Sequence, residues 1–453
     1  MPTRRAAALL LASLLPLALP GQSLSAPGTT RLDSIARGAS PERLRANITT
    51  LVGFGTRNTL SDTLSQTRGI GAARRWIHAE FERIGRECGG CLEVRYLHHL
   101  VPGREGSRTP RGVDVVSVIA IQRGTVHPER WVMMSGDIDS RVTDVLNAVD
   151  SSPGANDNAS GMAGTIEAAR LLSKHRFGKT IVYAGLAGEE QGLLGGIGFA
   201  QQIVDSGWVV EAVINNDMIG NIAGINGVID NRSFRIFSEP VPATETEAQR
   251  NARRSYGGEV DGPSRQLARY IERLTRQYLP GLEPRMIYRL DRFGRGGHHR
   301  PFNDKGMPAV RLMESHEHYD RQHQDIRVVD GRHFGDVIEF VDFDYAARLT
   351  GVNALVLASL ASAPPPPDNV RLRGAVSAST TVSWQEPQSD LVVGYKVYWR
   401  DTTAPQWTWS RFVPRGTTSL ELTGVVIDDY LFGVASVSAD GSESVVQFPT
   451  FGR

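Results

Sequence analysis

The sequence predicts an α/β protein, a mostly parallel mixed sheet covered by helices on both faces, followed by a small all-β sandwich. Three observations predict it. Short apolar runs alternate with helical-period segments between Trp131 and Met313, the pattern of a sheet whose strands are buried on both sides. A proline run, Ala361-Ser-Ala-Pro-Pro-Pro-Pro-Asp368, then breaks the chain. Beyond it the pattern shifts to short β-runs separated by turn residues, the spacing of a sandwich. A chain of 453 residues is also too long for one small core and suggests two or three domains.

The elements follow in order. Arg4-Arg5 precede an apolar stretch from Ala6 to Pro20, which ends in the small residues Ser23-Leu-Ser-Ala26. This is the pattern of an export signal over residues 1–26, and it implies a secreted or periplasmic protein. The apolar run is too short and too broken by proline to span a bilayer, and no other segment qualifies. Ser40 before Pro41 reads as a helix cap with proline at the first helical position. Ile70, Ala73, Trp76, Ile77, Phe81 and Ile84 recur at helical spacing. The only cysteines, in Cys88-Gly-Gly-Cys91, suit a local disulfide in an exported chain. Strands are expected at Val94–Leu100, Val115–Ile121, Trp131–Met134, Thr180–Gly185, Val209–Asn215 and Ala309–Met313. Helices are expected at Met162–Leu172, Leu193–Val204, Arg265–Tyr278 and within Phe334–Ser362. The Gly- and Arg-rich stretch 220–263 has weak periodicity and reads as a surface insertion in a first domain over 27–360. The proline run, 361–368, reads as a stiff spacer before a second domain over 369–453. A formal net charge of +1 gives no case for nucleic acid or an anionic membrane as partner.

The β-runs Thr380–Trp384, Val393–Trp399, Ser419–Leu422 and Tyr430–Val437 resemble a fibronectin type III module, with Trp384 at its core position and Tyr430 at its corner. Such a module is expected to bind a surface or another protein. It carries no candidate chemistry and is expected to be dispensable for it.

The chemistry gathers at predicted strand ends. Ser135-Gly-Asp-Ile-Asp-Ser-Arg141 places Asp137 and Asp139 after a buried strand, where two like charges on an extended chain need compensation. Further clusters are Pro153-Gly-Ala-Asn-Asp-Asn-Ala-Ser-Gly161, Ala187-Gly-Glu-Glu-Gln-Gly192, Asn215-Asn-Asp-Met218, Gly297-His-His-Arg-Pro-Phe302 and Tyr319-Asp-Arg-Gln-His-Gln-Asp325. Singly, each has a plainer reading. Asp157 suits a helix cap, Glu189-Glu190 a helix start, and Asp217, His298-His299 and His323 suit solvated loops. Together they are an ordered set of oxygen and imidazole donors at converging strand ends, which a metal site requires.

In wording and order these motifs resemble the co-catalytic di-zinc aminopeptidase family, related to glutamate carboxypeptidases and glutaminyl cyclases. The resemblance covers about residues 40–360. It implies an exported metal-dependent aminopeptidase acting on peptides, with two divalent ions, zinc in the first instance. Asp157 would bridge the ions across a cis peptide bond, Glu189 would be the general base, Glu190 and His323 would hold one ion, and Asp217 the other. His299 is the other candidate for the last ligand; otherwise it lies beside the site or faces substrate. Tyr319 is the expected substrate contact. The family has histidine where this chain has Asp137, so the first ion would have only oxygen ligands, and manganese or magnesium becomes admissible there. Asp139 is the acid that supports the site. The same resemblance leaves open a glutaminyl cyclase-like acyltransferase or an inactive peptide-binding relative. If residues 1–26 are an export signal, N-terminal sequencing of the protein recovered outside the cytoplasm should start at or close to Pro27; a chain starting at Met1 there would refute the cleavage.

Overall fold

The computed structural model describes residues 27–449, so the expected export signal lies outside the described residues. Eight strands form one mixed sheet in the order β1-β2-β4-β3-β5-β8-β6-β7. They are β1 (Leu92–Val101), β2 (Val113–Gln122), β3 (His127–Asp137), β4 (Lys179–Leu186), β5 (Val209–Asn216), β6 (Ser233–Ser238), β7 (Glu283–Ile287) and β8 (Ala309–Glu314). The central four, β4, β3, β5 and β8, run parallel, while β2 and β6 flank them antiparallel.

The period of two in β3 and β4 divides their side chains between two cores. Val132, Met134, Ile181 and Tyr183 pack on one face, and Trp131, Met133, Val182 and Ala184 on the other. The first face is covered by α1 (Pro27–Ala36), α2 (Pro41–Gly53), α3 (Gly69–Glu87), α4 (Ala159–Leu172), α7 (Pro263–Tyr278) and α9 (Phe343–Ser362). The second is covered by α5 (Leu194–Ser206) and α8 (His299–Asn303). Ser40 caps α2 as its sequence predicts, accepting a hydrogen bond from the Arg43 amide. Cys88 and Cys91 form a disulfide. No helix among the described residues is long and apolar enough to cross a membrane.

The stretch expected as a surface insertion is only partly that. Its α6 (Glu247–Tyr256) buries no residue, but β6 enters the main sheet between β8 and β7, and its Phe234 and Ile236 are fully buried. The chain from β3 through α4 returns to β4 on one side of β3, and from β4 through α5 it crosses to β5 on the other. That reversal lies at the C-terminal ends of β3 and β5, where a site is usually found in such sheets.

A short hairpin, β9 (Arg327–Val329) with β10 (Arg332–Phe334), precedes α9. The C-terminal part is an antiparallel sandwich. One sheet is β11 (Asp368–Arg373), β12 (Thr380–Gln385) and β15 (Ser419–Leu422). The other is β14 (Trp409–Pro414), β13 (Gly394–Asp401) and β16 (Tyr430–Val437). Trp384 packs in its core against Tyr395, ring centroids 5.2 Å apart.

The proline run does not stand off from the first domain as a spacer. Pro364 and Pro365 are buried, and the fully buried Lys179 donates to the Pro364 carbonyl at 3.0 Å. The sandwich is docked on α7 through an ionic cluster. Asp261 accepts from Arg269 at 2.6 Å and from Arg400 of β13 at 2.7 Å, and all three side chains are 1% exposed. Arg269 also reaches the Pro405 carbonyl at 2.8 Å. Replacing Asp261 by Ala leaves two guanidinium groups buried without their counter-ion, so Asp261→Ala should destabilise the protein by about 3–5 kcal/mol. A urea midpoint unchanged from wild type would show that the cluster does not carry the docking.

Candidate active site

The site is built from loops at the C-terminal ends of β3, β4 and β5, and buried polar side chains fix the loops to one another. Asp139 accepts from the Glu189 amide at 3.1 Å through one oxygen, and from the Glu190 amide at 3.0 Å and the Thr59 hydroxyl at 2.9 Å through the other. It therefore holds the backbone of the glutamate pair. Burial, with the Glu190 charge, pushes its carboxyl up to about 7. The loop carrying Asp157 has the cis peptide bond Asp157–Asn158. Its Asn156 and Asp157 amides donate to Asp336 at 2.8 and 2.7 Å. Arg57, 1% exposed, spans two loops, donating to the Ile138 carbonyl at 2.8 Å and the Gly154 carbonyl at 2.9 Å. Asn158 caps α4 and gives its side-chain amide to Asp137 and to the Asn216 carbonyl, both at 2.7 Å.

Three donors converge. The Nε2 atom of His323 lies 2.8 Å from Asp157 and 3.1 Å from Glu190, and ligand atoms of all three lie within 4.8 Å of one another. Burial alone would lower the His323 pKa, but Glu190 and Asp157 outweigh it and hold it at about 9. His323 itself sits at φ +54°, in the left-handed region that few non-glycine residues adopt. Arg141 braces the group, donating to the second Glu190 oxygen at 2.8 Å and lying 2.7 Å from His323 Nδ1. Two carboxylates and one imidazole facing a common point match the donor set of a catalytic zinc site with an open position.

The neighbouring Glu189 differs from Glu190. Its carboxylate makes no hydrogen bond or ion pair with any described residue, whereas both Glu190 oxygens are engaged. Burial, then the charges of Glu190, Asp217, Asp137 and Asp157, push the Glu189 carboxyl well above its ordinary range.

The carboxylate oxygens of Asp137 and Asp217, expected to hold a first ion, do not converge with these three donors, although their charges act on the same cluster. Asp137 places one oxygen 2.5 Å from His298 Nδ1 and the other against Asn158. Asp217 lies 2.8 Å from the buried guanidinium of Arg311. Asp137, where the sequence departs from the family pattern, thus meets His298 in space. His299 is fully buried and bonds through Nε2 to the Leu290 carbonyl at 2.8 Å, which ties it to a loop rather than to an open surface. Tyr319, on a short turn ahead of His323, is 56% exposed.

Arg57, Arg141, Arg311 and Asp336 were not legible as site residues, and the part His298 plays beside Asp137 was not legible either. Arg311 lies inside the apolar run of β8, Arg57 and Asp336 are isolated charges in loops, and His298 is indistinguishable in sequence from His299. Arg141 had a faint signal, as the one cation beside the Asp137–Asp139 pair.

With this geometry in view, residues 117–341 match the model of peptidase family M28. A "probable zinc metalloprotease" of Leptosphaeria maculans is 42% identical over 412 residues, covering 90% of this chain and 94% of the relative. Another of that name from Pyricularia oryzae is 42% identical over 419 residues, covering 90% and 82%. The crystal structure of the Legionella pneumophila LapA aminopeptidase superposes with a TM-score of 0.53 at 16% identity over 78% of each chain, a likeness of fold. The chain therefore belongs to peptidase family M28.

Proposed function

We propose that the protein is an exported, zinc-dependent exopeptidase that hydrolyses the N-terminal peptide bond of its substrates. The observation that carries this reading is the contrast within the glutamate pair, one carboxylate engaged beside His323 and Asp157, the other free of partners among the described residues. Asp157, Glu190 and His323 would hold the ion, and the curated relatives' name, zinc metalloprotease, supports zinc. Zinc there would supply a Lewis acid that acidifies a water and polarises the carbonyl of the scissile bond.

The rest of the chemistry falls to the chain's own groups. Glu189, unpartnered and with a raised pKa, is suited to take the water's proton and deliver it to the departing amine. Asp139 holds both glutamate amides, so that neighbouring side chains diverge, one toward the ion and one toward the substrate. Tyr319 is accessible enough to contact a peptide. The sandwich is assigned a binding role toward a surface or another protein, outside the chemistry.

A second reading has one observation in its favour. A single three-donor group also suits a cyclising acyltransferase acting on N-terminal glutamine. An assay on peptides with a free N-terminus, an acetylated N-terminus and an N-terminal glutamine separates the possibilities. The expected outcome is release of the first residue from the free peptide only. Release from the acetylated peptide would overturn the aminopeptidase assignment, and loss of ammonia from the glutamine peptide without release of an amino acid would favour cyclisation.

Glu189→Gln should lower the rate by roughly 10²–10⁴ with metal content near wild type, whereas Glu190→Gln should lower metal content itself. Near-full turnover in Glu189→Gln would remove it as the base. Chelation with dipicolinate should abolish activity, and zinc should restore it. The apo protein should also unfold at lower temperature, because a ligand bound only to the native state stabilises it by mass action.

A further inference from the structure

We infer that this protein holds one metal ion per chain, and that the guanidinium of Arg311 takes the place of a second cation. The inference rests on the reading of Asp157, Glu190 and His323 as the site of the one ion.

Four observations lead there. First, both oxygens of Asp137 have protein partners, His298 at 2.5 Å and Asn158 at 2.7 Å, and all three residues are buried. Each oxygen therefore has one lone pair taken, and the buried partners fix the direction in which the other points. Second, one oxygen of Asp217 already faces a cation, Arg311 Nη2 at 2.8 Å, while Oδ1 is buried without a hydrogen-bond partner among the described residues. Third, Arg311 is built in rather than merely nearby. It projects from β8, where its register partner is Asn215 of β5, two residues before Asp217. Its other terminal nitrogen donates to the Gly296 carbonyl at 2.7 Å and lies 3.2 Å from Asp291. The side chain is fully buried, so no rotation carries the charge to solvent. Fourth, Asp157, Glu190 and His323 are the only group of three ligand-type side chains with converging donor atoms among the described residues.

Burial alone would lower the pKa of Arg311, but Asp217 and Asp291 outweigh it and hold it above its ordinary range, and a guanidinium does not lose its proton in proteins. A divalent ion on Asp217 would share one carboxylate with a permanent buried cation in a medium of low dielectric. Two cations at such close range would repel each other. Arg311 is a positioning residue in this account. It fixes Asp217 beside the site and ties the loop at Asp291–Gly296 to the sheet.

The test is metal stoichiometry, independent of turnover. The full-length mature protein is loaded with zinc, desalted and measured by plasma mass spectrometry, and the apo protein is titrated with cobalt and followed by its visible absorption. One equivalent and a single cobalt endpoint are expected. Asp137→Asn and Asp217→Asn, close in shape to the native residues, should both retain that equivalent, whereas Glu190→Gln should lose it. Two equivalents in wild type, or loss of one in either Asn variant, would overturn the inference while leaving the Asp157 site intact. No bound metal in wild type would overturn the underlying reading and the inference together. Arg311→Met, paired with Asp137→His, should raise the count above one if it folds; its folding is checked by circular dichroism, and the wild-type count decides the matter without it.

Discussion

Carboxylates crowded beyond the ends of parallel strands need compensation, and the architecture of this molecule around its site follows from how that is supplied. Left bare, such groups hold their protons or push one another apart. Three means are visible here. Backbone amides serve Asp139 and Asp336, and in doing so fix the loops that carry Glu189, Glu190 and Asp157. Arginines serve Glu190 and Asp217. Histidine serves Asp157 and Asp137, through His323 and His298. Among the described residues, Glu189 alone of these acids is left without a partner.

The sheet was legible because its strands obey a period of two between two distinct cores, as Trp131–Met134 shows. The acids were legible because they follow those strands directly. What escaped notice was the countercharge. Arg311 stands in Ala309-Val-Arg-Leu-Met313, where an arginine in an apolar strand reads as an outward-facing side chain, and only the pairing of β8 with β5 turns it inward beneath Asp217. β6 was hidden for a related reason. Its Ser-Phe-Arg-Ile-Phe-Ser is short and interrupted by charge, and it earns its place by pairing with β8 and β7 rather than by its own pattern. The fates of His298 and His299 depend on helix α8, whose first turn sends one ring to Asp137 and the other to Leu290.

The expected spacer between the domains illustrates a limit of composition. Four consecutive prolines are stiff and extended, but stiffness does not decide whether a segment faces water. Here the run lies against the first domain, and a buried lysine takes its first carbonyl. The same lysine pairs with Glu211 at the start of β5, so the strap, the sheet and the entry to the sandwich share one ion pair.

The docking of the sandwich has a consequence for exchanging parts between relatives. α7 presents Arg269 and Glu272 to the sandwich, at Pro405 and Gln406, while its Leu267, Ala268 and Ile271 pack in the core beneath the catalytic sheet. One helix thus serves two masters. A sandwich grafted from another protein would meet arginines aimed at partners it lacks, and a graft that included α7 would disturb the core under the site. The cut that respects the molecule falls at neither end of the proline run, and the two parts form a matched set.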